Sequence, residues 1–156
     1  MKVENLMTQA TVTCHPETTL AEAAKLMWDG DFGFLPAVEN GALAGVVTDR
    51  DICIGAATHP RAASQIAVRE VMTGRHFTCA PDDDLEEALA TMSTHCVRRL
   101  PVVDEFGEMR GIISMNDIIQ EARASRGATD GPTFKDVVST LKRIGQHRDL
   151  PTTVHA

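Results

Sequence analysis

Hydrophobic positions in the first third of the chain follow two spacings, which predict a helix followed by a hairpin. Between residues 20 and 27 the apolar positions recur every three or four residues, as on one face of an amphipathic helix, and a threonine precedes them as a candidate N-cap. Residues 34–38 and 43–48 are short apolar runs, and Asn40-Gly41 between them is a strong signal for a tight turn. A second helix is predicted to begin near Asp49.

The same pattern returns 65 residues later, so the chain contains an internal repeat. Thr13-Cys14 matches Thr78-Cys79, and both pairs end a predicted short β segment. The second copy has one extra residue in its hairpin turn, after which Asp51 matches Asp117. Each copy therefore predicts the order β-α-β-β-α.

One copy is too small to bury a good core alone, so two copies are expected to pack around a pseudo-twofold axis in an α+β fold. After the second copy, Thr133 and Asp136 form a predicted capping box before an amphipathic helix. The apolar face of this helix is expected to be buried on its own module, or on a second subunit or partner. The predicted organisation is repeat 1 (1–57), linker (58–66), repeat 2 (67–122), loop (123–133), C-terminal helix (134–145) and a tail of disordered composition (146–156).

Composition and charge narrow the possible partners and location. The net charge of −7 offers no basic surface for nucleic acid. No apolar run approaches the roughly 18 residues that span a membrane, and Glu4 interrupts the stretch where a signal peptide would be apolar. The sequence therefore predicts a cytoplasmic protein with reduced cysteines and with neither nucleic acid nor membrane as a partner.

One short motif with chemical potential occurs in both copies. Residues 45–51 and 111–117 share the pattern Gly-h-h-[Ser/Thr]-x-x-Asp, where h is hydrophobic. An aspartate at a helix start can accept hydrogen bonds from both vicinal hydroxyls of a ribose. The same aspartate and the preceding hydroxyl can also serve only as a helix cap. The motif alone leaves both interpretations open.

This motif, preceded each time by an apolar residue, a proline and a hairpin, resembles the CBS domain, named for cystathionine β-synthase. A tandem pair of such domains is often called a Bateman module, and the resemblance covers residues 3–122. It implies a non-catalytic regulatory module without a catalytic cofactor, which binds AMP, ADP, ATP or S-adenosylmethionine in the clefts between the repeats. It further implies a homodimer, and a partner protein that is regulated in trans.

The resemblance also implies roles for individual residues. The aspartates would bind ribose, the hydroxyl residues phosphate, the backbone of the Thr-Cys pairs the adenine edge, and two apolar residues the adenine ring. In relatives a basic residue at the position of Arg98 commonly faces phosphate, whereas the first copy has Gly33 there, so the two clefts are expected to differ. The complete candidate set is Thr13, Cys14, Val46, Thr48, Arg50, Asp51, Thr78, Cys79, Arg98, Arg99, Ile112, Ser114 and Asp117.

Two other classes of function remain open beside the nucleotide sensor. The chain lacks GxGxxG, GxxxxGK[ST], HExxH and GxSxG, so enzyme activity is not expected. A metal- or redox-responsive module would use the histidines together with cysteines, for example His95-Cys96, although no CxxC spacing supports a metal site and none is predicted. A scaffold that has lost ligand binding is the other alternative.

Overall fold

The computed structural model describes residues 1–74, 76–124 and 131–146. Across these residues, helices and antiparallel hairpins follow the predicted order in both repeats, which confirms the α+β fold. The predicted tail falls almost entirely outside the described residues, as does part of the predicted loop. The elements are α1 (Leu20–Gly30), β1 (Phe34–Glu39), β2 (Ala42–Thr48), α2 (Asp49–Thr58), α3 (Leu85–His95), β3 (Arg99–Val103), β4 (Met109–Ser114), α4 (Met115–Glu121) and α5 (Phe134–Ile144).

Local side-chain hydrogen bonds explain where the helices begin. The Thr19 hydroxyl accepts from the Glu22 N–H at 3.2 Å, and the Glu22 carboxylate accepts from the Thr19 N–H at 2.9 Å. This reciprocal capping box satisfies two N–H groups that a helix start leaves unpaired. The hydrogen bonds from Thr19, first its N–H and then its hydroxyl, hold the pKa of Glu22 below its usual value.

The hairpin of the first repeat is fixed by its turn. Asn40 and Gly41 both have positive φ, 53° and 85°, as the predicted tight turn requires. β1 and β2 then pair antiparallel, with Phe34 opposite Thr48 at the open end. β3 and β4 form the corresponding two-stranded sheet of the second repeat.

Residues 1–8 and 66–73, which we term the lead segments, lie at the start of repeat 1 and repeat 2, and each packs against the other repeat. The Val68 N–H donates to the Thr18 carbonyl at 2.8 Å, and Thr73 bridges antiparallel to Val46 of β2. At the equivalent positions the Val3 N–H donates to the Asp83 carbonyl at 3.0 Å. Thr8 likewise bridges to Ile112 of β4, and both valines are 0% exposed. The lead segments are therefore exchanged between the repeats.

The two hairpin turns pair with each other in a symmetric manner. The Leu43 N–H donates to the Gly107 carbonyl and the Met109 N–H donates to the Gly41 carbonyl, each at 3.3 Å. Leu43 and Met109 are equivalent in the two copies, as are the two glycines. This reciprocal pair of bonds is what a local pseudo-twofold axis produces, as the sequence predicted.

The chain divides into two compact units. Residues 8–81 and 101–112 form one unit, whose core includes Leu20, Leu35 and Val47, all 0% exposed. Residues 1–7, 82–100 and the described residues from Ile113 onward form the other. In the latter, α5 packs on α3 and α4 and buries Val137, as expected for the first of the two alternatives, packing on its own module. Phe134 and Val138 of the same helix remain exposed.

Candidate functional site

The motif of the first repeat forms a compact turn between β2 and α2. The Asp51 carboxylate accepts through Oδ2 from the Thr48 N–H at 2.9 Å and from the Thr48 hydroxyl at 2.7 Å. In return the Asp51 N–H donates to the Thr48 hydroxyl oxygen at 3.2 Å. The predicted ligand residues are thus brought together, and they also cap the helix.

The motif of the second repeat has the same geometry. Asp117 Oδ2 accepts from the Ser114 N–H at 2.8 Å and from the Ser114 hydroxyl at 2.7 Å. Thr133 and Asp136 form an equal box at the start of α5, outside either motif, so this geometry by itself indicates only a cap. Within the described residues, the side-chain hydrogen bonds of Asp51 and Asp117 all use Oδ2, and Oδ1 of each is left for another donor.

Burial alternates along β2 and β4 and gives each strand a face that carries the candidate residues. Val47 is 0% exposed, whereas Val46 and Thr48 on either side of it are partly exposed. Since successive side chains point to opposite faces of a strand, Val46 and Thr48 share the face away from the core. β4 shows the same alternation around Ile113, which is also 0% exposed.

The Thr-Cys pairs lie at the edges of the hairpins, and the backbone of each cysteine is hydrogen-bonded to a hairpin strand. The Cys14 N–H donates to the Pro36 carbonyl at 2.9 Å, and its carbonyl accepts from the Val38 N–H at 2.8 Å. Cys79 makes the equivalent bonds with Pro101 and Val103 at 3.2 and 3.0 Å. The N–H groups of both cysteines are therefore unavailable to a ligand. The predicted backbone contact with adenine therefore cannot come from these two N–H groups, and for Thr13 and Thr78 it stays a prediction.

The thiol of Cys14 also bears on the redox alternative. Cys14 is 7% exposed, and burial raises the pKa of its thiol to about 11. A thiol with this pKa is protonated at neutral pH and is a poor nucleophile. The redox interpretation gains no support from this residue.

The two repeats differ in charge beside the motif. The Gly33 carbonyl accepts from the Asp49 N–H at 3.3 Å, and the Arg98 carbonyl accepts from the Met115 N–H at 2.9 Å, so these pairs are equivalent. A Cβ on Gly33 would lie 2.5 Å from Asp49 Oδ2, so the carboxylate occupies the space where a side chain at position 33 would begin. In the second repeat Met115 is 2% exposed and Arg98 is exposed. The candidate set predicted from the sequence does not contain Asp49. The sequence signal that points to it is the change from aspartate at position 49 to methionine at the equivalent position 115.

The two other predicted arginines differ in exposure. Arg50 lies in the first turn of α2 and is exposed, and its N–H donates to Asp49 Oδ1 at 2.7 Å. Arg99 begins β3 and is half-buried.

The glycine of the motif has a structural role. A Cβ on Gly45 would lie 2.9 Å from Met72 Sδ and 3.1 Å from the Thr73 carbonyl oxygen. Gly45 therefore permits the close approach of the second lead segment to β2.

Two further observations concern metals and membranes. Among residues 1–74, 76–124 and 131–146, no group of three or more His, Cys, Asp or Glu side chains is arranged to hold a metal ion. Over the same ranges, no helix combines the length and apolar character that crossing a membrane requires.

Comparison with known proteins finds the family model described as "CBS domain" twice, at residues 3–55 and 68–124. The CBS domain-containing protein YhcV of Bacillus subtilis (strain 168) is 36% identical over 126 residues, which cover 81% of this chain and 89% of YhcV. Inosine-5′-monophosphate dehydrogenase of Korarchaeum cryptofilum (strain OPF8) is 27% identical over 90% of this chain, but the match spans only 30% of that enzyme.

Solved structures show the same fold. The CBS domain pair of protein MJ0100, in complex with 5′-methylthioadenosine and S-adenosyl-L-methionine, superimposes with a TM-score of 0.69 at 26% identity, over 77% of this chain and 94% of that chain. CBSX2 in complex with AMP gives a TM-score of 0.66 at 25% identity, over 76% of this chain and 93% of that chain.

Proposed function

Because the chain belongs to the CBS domain family, we propose that it is a non-catalytic regulatory module that binds an adenosine-containing ligand at its two motif turns. AMP, ADP, ATP and S-adenosylmethionine are the candidate ligands. The observation that carries this proposal is the pair of matching turns, in which Asp51 and Asp117 each keep one carboxylate oxygen for a further donor. Solved structures with the same fold that contain AMP, 5′-methylthioadenosine and S-adenosylmethionine support it.

Each group at the first turn has a counterpart in the ligand. The Asp51 Oδ1 atom accepts from the ribose hydroxyls, since a carboxylate is an acceptor with two oxygens. Val46 lies on the same strand face as Thr48 and contacts the adenine ring. The backbone of Thr13 forms hydrogen bonds with the polar edge of that ring. Asp117, Ile112 and Thr78 take these roles in the second repeat, where Arg98 and Arg99 supply the cations for phosphate.

Regulation requires that the ligand bind one conformation of the protein more tightly than another. We propose that the module is a cytoplasmic homodimer and that its output lies on a partner protein in trans. In the dehydrogenase relative, the matched region is 30% of the enzyme, so this type of module also occurs as part of a longer chain.

The test is isothermal titration calorimetry of the protein with AMP, ATP, 5′-methylthioadenosine and S-adenosylmethionine. Asp51→Ala and Asp117→Ala each remove one ribose acceptor, and we expect each to weaken binding at its own turn at least about tenfold, as for loss of a hydrogen bond to a charged group. Both substitutions also remove a helix cap. Asp136→Ala is the matched control, because it removes the same capping box from α5 and is expected to leave binding unchanged.

Two results would contradict the proposal. If none of the four ligands binds the wild-type protein, the adenosine-sensor function is wrong and a ligand-free scaffold becomes the better account. If Asp136→Ala weakens binding as much as Asp51→Ala and Asp117→Ala do, these aspartates act only as caps.

A further inference from the structure

We infer that Asp49 makes the first-repeat turn selective for adenosine ligands without a 5′-phosphate, such as a neutral thioether or a cationic sulfonium. This inference rests on the proposed function and adds the ligand class to one of its two sites. It starts from a charge difference between the two matching turns: the first has Gly33 and Asp49 where the second has Arg98 and Met115.

Asp49 is exposed and lies directly beside the motif. Its N–H donates to the Gly33 carbonyl, and its carboxylate lies against the Gly33 Cα, in space that any other residue at position 33 would fill. Asp49 is also adjacent in sequence to Thr48, whose hydroxyl belongs to the motif. A side chain at position 33 would therefore require the Asp49 carboxylate to move away from its observed place.

The negative charge at this place has no compensating ion pair among the described residues. Asp49 Oδ1 accepts the Arg50 N–H, but the ion pairs found in the described ranges join neither Asp49 nor the Arg50 guanidinium to an opposite charge. A phosphate brought to this turn would thus meet a carboxylate at close range. Two like charges a few ångströms apart near a protein surface repel strongly enough to change affinity by an order of magnitude or more.

The second repeat provides an internal comparison. At the position of Asp49 it has Met115, an uncharged and buried side chain, and at the position of Gly33 it has Arg98. The same backbone hydrogen bond is kept, so the two turns differ in side-chain charge and not in backbone arrangement. The Gly33–Asp49 pair carries a negative charge where the Arg98–Met115 pair carries a positive one, and this difference favours ligands of opposite charge at the two turns. Arg50 is an exposed cation of the first turn, and its equivalent in the second is the uncharged Asn116.

A neutral 5′-methylthioadenosine keeps the ribose and adenine contacts without bringing a charge to Asp49. S-adenosylmethionine brings a sulfonium, which the carboxylate attracts. AMP has the same adenosine group but a dianionic phosphate. These three probes vary only the 5′ substituent, so differences in their affinity report the charge preference of the turn.

The experiment measures the affinity of the three probes by calorimetry in the Asp117→Ala background, where the first-repeat turn alone keeps its motif aspartate. We expect 5′-methylthioadenosine to bind more tightly than AMP. Adding Asp49→Asn, which keeps the shape and removes the charge, should strengthen AMP binding at least about tenfold, weaken S-adenosylmethionine binding and leave 5′-methylthioadenosine within about twofold. Asp29→Asn is the matched control, since it removes one charge from an exposed site on α1 and should change none of the three affinities.

The outcomes separate this inference from the proposed function. If AMP binds the Asp117→Ala protein as tightly as 5′-methylthioadenosine, or if Asp49→Asn leaves their ratio unchanged, the inference is wrong while the sensor function stands. If none of the probes binds the wild-type protein, both are wrong. Asp117→Asn, which keeps a capping oxygen, replaces Asp117→Ala if thermal melting shows that alanine unfolds α4.

Discussion

Asp31 and Cys96 occupy equivalent positions directly after α1 and α3, and the backbone of each is left-handed, with φ of 52° and 54°. In both places the residue donates its N–H to the last turn of the helix, and the following N–H bonds to Met27 or Met92. This is the Schellman pattern, in which glycine is the usual residue because it has no Cβ to clash. Neither helix has glycine there, so both ends carry a conformational cost.

Cys96→Gly is therefore expected to raise the free energy of unfolding by about 0.5–1 kcal/mol. The thiol contributes little in exchange, because its contacts to the Ser93 and Arg143 carbonyls are long sulfur contacts of 3.9 and 3.8 Å. Urea unfolding measures the change. Cys53→Gly is the control: Cys53 is an exposed residue inside α2, where glycine should destabilise by a few tenths of a kcal/mol. Equal destabilisation by both substitutions would show that the left-handed backbone carries no cost.

At this scale the residues of the motif could be predicted because their chemistry is repeated, whereas Arg98 was predicted from the resemblance to a known family. The pairs Thr48/Asp51 and Ser114/Asp117 were found because the same spacing occurs at the same place in two copies. Asp49 was not found, because its contact with Gly33 depends on how β1 and α2 meet. That contact has no local sequence pattern.

At the scale of elements, the second lead segment pairs with the edge of β2 through the bridge between Thr73 and Val46. Gly45 allows the close approach of that segment because it has no Cβ. Gly45→Ala places a methyl group against Met72 Sδ and the Thr73 carbonyl oxygen, and we expect a loss of about 1–3 kcal/mol in the free energy of unfolding, as for other overpacked sites. Gly74→Ala is the control, since a Cβ there meets nothing within 4 Å. Urea denaturation compares the two; a loss for Gly45→Ala no larger than for Gly74→Ala would mean that the segment yields without cost.

Helices and hairpins could be predicted because their signals are local. The 20–27 stripe with its threonine cap and the Asn40-Gly41 turn specify α1 and the first hairpin within a few residues of their observed bounds. The strand additions at the edges of the hairpins could not be placed. Each is a single bridge between segments distant in sequence, such as Cys14 to Ala37 or Thr73 to Val46. A single bridge involves too few residues to show a periodic pattern in the sequence.

At the scale of the whole molecule, the exchange of lead segments means that a change near the N-terminus acts on the second repeat. Val3 is 0% exposed, and its N–H donates to the Asp83 carbonyl, just before α3. The Met1 carbonyl accepts from the N–H of Leu85, the first residue of α3. Val3→Ala is therefore expected to cost about 1–3 kcal/mol and to reduce hydrogen-exchange protection in α3 more than in α1. Mass spectrometry of deuterium uptake measures both helices in one experiment.

Val12→Ala serves as the control for this prediction. Val12 is 45% exposed, and its truncation is expected to change stability by less than about 0.5 kcal/mol. If Val3→Ala instead loosens α1 and leaves α3 protected, the first lead segment does not stabilise the second repeat.

The exchanged lead segments make each repeat depend on the other, which favours two copies in one chain. A single copy of this repeat would have to borrow its lead segment from a second molecule, so its folding would depend on protein concentration. Joining two copies in one chain replaces that encounter with an intramolecular one at an effective concentration in about the millimolar range. Fusion also removes the constraint of identity, because two separate copies of one chain have the same residue at every position. The tandem chain is free to have glycine at position 33 of one copy and arginine at the equivalent position 98 of the other, so the two turns can change independently.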